Sequence, residues 1–71
     1  MFNHLRGRLM QLGLNQTTAG RRLGLSQPAM SARMTGKIPW TMDEMYQLLD
    51  ICHAPAAELP IYFPRGGENH E

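Results

Sequence analysis

Phe2, Leu5, Leu9 and Leu12 recur at spacings of three and four, which marks one face of an amphipathic helix with Arg6 and Arg8 off that face. Helix 1 is predicted over about 2–12, and Gly13 is the residue type that ends a helix in a left-handed conformation. After Leu14-Asn15 a second helix covers 16–23, with Ala19 and Leu23 four apart and Gly20 beside them. The missing side chain at Gly20 predicts that another backbone comes close. Gly24 stops this helix, Leu25 points back to the core, and Ser26 is an N-cap whose hydroxyl can accept from the free amides of the next turn. The third helix, 27–35, tolerates Pro28 in its first turn and buries Met30 with Met34, leaving Gln27, Pro28, Ser31 and Thr35 on its far side.

Trp40-Thr41-Met42-Asp43-Glu44-Met45 reads as a complete helix start. Thr41 is the N-cap, Glu44 closes a capping box, and Trp40 is placed to pack on Met45 as a hydrophobic staple. Helix 4 runs to about Cys52 with Met45, Leu48, Leu49 and Cys52 as its apolar stripe, and Asp43 and Glu44 suit the positive end of its dipole. A short last helix is predicted over 55–59, started by Pro55 and ended by Pro60. Ile61-Tyr62-Phe63 is a β-favouring triplet that can be core, edge or interface. The apolar-free stretch 65–71 is expected to be a disordered tail, leaving one domain over 1–64.

A chain of 71 residues buries only about 60% of the surface its unfolded form exposes, so stability should be modest and reinforcement useful. Disulfides are out of reach with one cysteine, and Cys52-His53 lacks the spaced ligands of a structural zinc site, so no metal or cofactor is expected. Oligomerisation is the reinforcement left. His4, His53 and His70 are scattered, and no serine or cysteine has a recognisable base partner, so the chain is not expected to be an enzyme. No apolar run is long enough to span a bilayer or act as a signal peptide, which predicts a soluble cytoplasmic protein away from membranes.

The formal charge of +1 averages two unlike halves. Residues 1–40 hold Arg6, Arg8, Arg21, Arg22, Arg33 and Lys37 with no acid, a charge of +6. Residues 41–71 hold Arg65 against Asp43, Glu44, Asp50, Glu58, Glu68 and Glu71, a charge of −5. A one-signed field on one part of a small domain attracts and orients a polyanion, although a basic cluster can also be a merely solvated face.

Taken together, Gln16-Thr17-Thr18-Ala19-Gly20-Arg21-Arg22-Leu23-Gly24-Leu25-Ser26-Gln27-Pro28-Ala29-Met30-Ser31-Ala32-Arg33-Met34-Thr35-Gly36 resembles the helix-turn-helix of the lambda-repressor-like, or Xre/Cro, family. Two helices joined by a short turn need a small residue at their contact, here Gly20, and a glycine able to take positive φ, here Gly24. With the flanking helices the similarity covers about 2–59. It implies an all-α, compact five-helix DNA-binding domain with the helix-turn-helix at 16–36. The loop and capped helix over 36–44 resemble those of short phage and prophage regulators, which implies a Cro-like repressor.

The resemblance also implies roles. Gln16 would bind a phosphate and brace Gln27, whose amide can donate to and accept from adenine in the major groove. Pro28, Ser31 and Ala32 match other base-facing positions, while Thr17, Arg21, Arg22, Thr35 and Lys37 suit phosphates. Arg33 stands where many relatives carry an aliphatic residue, so it either snorkels to the edge or contacts phosphate. The expected partner is a double-stranded DNA operator, read by a homodimer whose seam is helix 5 with Ile61, Tyr62 and Phe63. The rival reading is a protein-binding module on the same fold, an antirepressor that occupies another regulator.

Overall fold

A computed structural model describes residues 1–64 of the chain; the predicted tail at 65–71 lies outside them. The described residues form an all-helical globule: α1 (Asn3–Gln11), α2 (Gln16–Arg22), α3 (Gln27–Met34), α4 (Met42–Ile51) and α5 (Leu59–Tyr62), with a 3-10 turn at Ala56–Glu58. None of these helices is long and apolar enough to cross a membrane.

Three of the helix starts, those of α2, α3 and α4, carry a side-chain cap. Asn15 caps α2, its side chain accepting from the Thr18 amide at 2.8 Å while the Thr18 hydroxyl accepts from the Asn15 amide at 2.9 Å. The Ser26 hydroxyl accepts from the Ala29 amide at 3.3 Å, and Thr41 with Glu44 closes the expected box on α4. Helices α1 to α4 all end in the same doubly bonded turn, illustrated by α2, where the Leu25 amide donates to the Gly20 carbonyl at 2.9 Å and Gly24 to Arg21 at 3.0 Å. The turn needs a left-handed residue, and Gly24 supplies it at φ 76°. At the end of α4 the same position holds His53, a residue with a Cβ, at φ 57°.

The core joins Leu5 and Leu9 of α1, Ala19 of α2, Met30 and Met34 of α3, and Leu48, Leu49 and Cys52 around α4. Tyr62 and Phe63 complete it from the C-terminal side. Phe2, Trp40 and Phe63 form a ring cluster with centroids 5.6 to 6.0 Å apart, so Trp40 packs between the start of α1 and the end of α5. Burial is what raises the Cys52 thiol above its ordinary range, against the opposing charge of Arg8.

The C-terminal segment corrects two expectations. Pro60 does not end the last helix; it lies in the first turn of α5, where a missing amide costs nothing. The β-favouring triplet is therefore helical up to Tyr62. Tyr62 is 3% exposed and Phe63 6%, whereas Ile61 is 53% exposed. Two of the three residues expected at a dimer seam are thus core of the single chain, because four residues of helix can turn only part of their apolar surface outward.

Candidate nucleic-acid interface

The pair α2 and α3 is built around one close contact. A Cβ at Gly20 would meet the Cβ and Cγ of Met30 at 2.9 Å, so glycine lets the two backbones approach as far as they do. Gly20 and Met30 are both buried, and the Leu23–Ser26 connection carries the chain directly from one helix to the next.

With α3 anchored on Met30 and Met34, its other side is fixed by helical geometry. At about 100° per residue, Gln27, Pro28, Ser31, Ala32 and Thr35 fall within an arc of roughly 140°. Gln27, Pro28 and Thr35 are exposed, and Ser31 and Ala32 are half-buried. The Thr35 hydroxyl donates back to its own helix, with the Ser31 carbonyl at 3.0 Å and the Ala32 carbonyl at 3.2 Å. It can offer a phosphate a hydrogen-bond donor only by releasing that bond.

Besides Thr35, the residues expected at phosphates divide into three groups. Arg21 and Arg22 in the last turn of α2, and Lys37 just after α3, are exposed and make no side-chain hydrogen bond or ion pair among the described residues. The two arginines also suit the negative end of the α2 dipole, a purely structural reason for their position. Gln16 and Thr17 are half-buried; Gln16 borders a small cleft with Arg6, Met10, Asn15 and Met34.

Arg33, for which an edge position and a phosphate contact were both expected, stands apart because its guanidinium is engaged within the chain. Its Nε donates to Glu44 Oε1 at 2.9 Å and its Nη1 to the Ala29 carbonyl at 3.1 Å, with the side chain 16% exposed. Physically, a charge sunk beside the core demands a partner, and the Glu44 carboxylate supplies it. Burial pushes the Glu44 carboxyl upward, but the hydrogen bonds from Arg33 and the Thr41 amide, with the Arg33 charge, outweigh it and hold the group below its usual range.

The basic half is also less free than its residue count suggests. Arg6 Nη2 donates to the Met34 carbonyl at the end of α3 (3.2 Å), and Arg8 Nε to the Cys52 carbonyl at the end of α4 (3.1 Å). Both arginines satisfy carbonyls that a helix terminus leaves open. Sequence reasoning missed these two caps because their partners lie 28 and 44 residues away. The Asn15–Thr18 box was also missed, although it has a local signal: an N-cap asparagine with a hydroxyl residue three positions on.

Comparison with protein families, with curated proteins and with solved structures finds no match to this chain. The functional reading therefore stands on the residues and their arrangement.

Proposed function

We propose that this chain is a sequence-specific, double-stranded-DNA-binding transcriptional regulator, a Cro-like repressor that uses α2 and α3 as a helix-turn-helix and reads an operator with α3 in the major groove. The observation that carries this reading is the state of α3. The helix is held by Met30 against Gly20 and by Arg6 on its last carbonyl, while the side chain of Gln27 at its exposed start makes no hydrogen bond among the described residues. An amide free to donate and accept, on a rigid helix of groove-fitting width, suits adenine. Arg21, Arg22 and Lys37 supply exposed positive charge on either side in sequence, and each phosphate so neutralised releases counterions.

Selection from random duplexes followed by a salt titration tests the reading. An enriched site with a salt-dependent affinity is expected, and Gln27→Ala should cost about 1–3 kcal/mol and relax preference at one base position. Neutralising Arg21 or Arg22 should weaken all duplexes alike and flatten the salt slope.

The operator is proposed to be read by a homodimer, with half-sites roughly 34–36 Å apart on one DNA face. With Tyr62 and Phe63 internal, Ile61 is the exposed apolar side chain left of the expected seam, and Met42 and Tyr46 on α4 are exposed as well. Sedimentation at micromolar concentration should show the dimer, and a monomer there overturns it.

The antirepressor reading is favoured by one observation, an apolar groove of about 630 Å³ bordered by Phe2, Ile38, Trp40, Met42, Met45 and Phe63. It predicts no enriched duplex and no salt slope.

A further inference from the structure

We propose that Glu44, acting through Arg33, is a positioning residue for DNA reading: a polar strut behind α3 that sets the angle at which its opposite side meets base edges. The inference rests on the DNA-binding reading above. At about 100° per residue, Arg33 lies on the side of α3 turned away from the arc of Gln27, Pro28, Ser31, Ala32 and Thr35. From there its guanidinium makes two bonds in two directions. One reaches forward to Glu44 Oε1 at 2.9 Å, and the other returns to the Ala29 carbonyl at 3.1 Å, one turn back on α3.

The Glu44 end is equally constrained. The same Oε1 accepts from the Thr41 amide at 3.0 Å, and the Glu44 amide donates to the Thr41 hydroxyl at 3.1 Å. One carboxylate oxygen thus closes the first turn of α4 and ties that turn to the back of the reading helix. The side chains are 16% and 13% exposed, so water competes weakly for either.

Apolar contacts at this position would allow one helix to slide and roll on the other, because dispersion is non-directional. A charge-assisted bond anchored at both ends has a narrow geometry instead. Base recognition needs that precision, since a reading side chain must be held to within about 0.5 Å and 10–20° of its productive pose. Arg33, out of place as a packing residue, is in place as the near half of this strut.

The test uses the full chain as wild type, Glu44→Gln, Arg33→Met and the double variant. In Glu44→Gln the side-chain amide keeps an oxygen able to accept from the Thr41 amide, so the α4 cap survives while the charge is lost. Each protein is first shown to be folded by urea titration. Affinities for the selected duplex and for a single-base variant of it are then measured across a range of salt. Each single substitution is expected to reduce discrimination between the two duplexes by about threefold to tenfold, within the range one base pair controls. The double variant should lose no more than the worse single one, and all four salt slopes should agree.

A loss of stability alone would leave the discrimination ratio and the slope unmoved. Unchanged discrimination in folded variants therefore overturns the proposal. A slope flattened by about one phosphate in Arg33→Met makes Arg33 a direct contact and overturns it too. A wild type that selects no duplex at all is a different failure, which removes the DNA reading itself.

Discussion

Alanine in place of glycine should have opposite effects at two helical positions of this chain. Gly7 lies inside α1, and a Cβ built there meets nothing within 4 Å. Gly7→Ala should therefore gain the ordinary helix-propensity difference, about 0.5–1 kcal/mol. Gly20 lies inside α2, where the same Cβ meets Met30 Cβ and Cγ at 2.9 Å. Met30 is fully buried, and its Cβ is fixed to the backbone of α3, so no rotamer change can relieve that part of the clash. Relief requires α2 and α3 to separate by several tenths of an ångström, and overpacking of this kind costs about 1–3 kcal/mol. After the same propensity gain is set against it, Gly20→Ala should be destabilising by up to about 2.5 kcal/mol. In a domain this small, each kcal/mol moves the melting temperature by about 4–8 °C. Urea unfolding of the two variants beside wild type, at constant slope, reads both signs directly. A Gly20→Ala protein as stable as Gly7→Ala would show that α2 and α3 do not meet at this point.

Three further outcomes follow from groups outside that contact. Because the Glu44 carboxyl is held below its ordinary 4.5, the unfolded chain binds its proton first as pH falls, so the contribution of Glu44 is present above that value and drains away below it. Urea titrations in acid should show this loss in wild type and a shallower one in Glu44→Gln. Cys52 is fully buried with its thiol raised by burial, so a thiol reagent should modify it at the rate the fold opens, and reaction as fast as in denaturant would contradict its placement. His53 holds a left-handed backbone that costs a residue with a Cβ about 1–2 kcal/mol, part of which glycine returns as chain entropy; His53→Gly should raise the melting temperature by a few degrees.

Much of the helical framework was legible along the chain because its causes are local. The spacing of Leu5 and Leu9, the caps at Ser26 and Thr41, and the glycine turn at Gly24 each act within one or two helical turns. Even Gly20, a long-range feature, announced itself through an absent side chain between two apolar ones. The C-terminal segment was misread because its local cues conflict. Proline both stops a helix and opens one, and β-favouring residues take helical form when the core holds them. Tyr62 and Phe63 needed the apolar surfaces of α1 and α4 to decide where they went.

By itself, then, the sequence determined the number and order of the main helices, which of their faces turn inward, and the exposed start of α3 at Gln27. Only the tertiary structure decided what the charges do. Arg6 and Arg8 were drawn to carbonyls of distant helix ends, and Arg33 to a carboxylate 11 residues on, leaving Arg21, Arg22 and Lys37 with no side-chain partner among the described residues. The physical reason is range. Helix periodicity and capping are settled by neighbours a few residues away, whereas a long cationic side chain takes whichever open acceptor the packing of other helices brings within its reach.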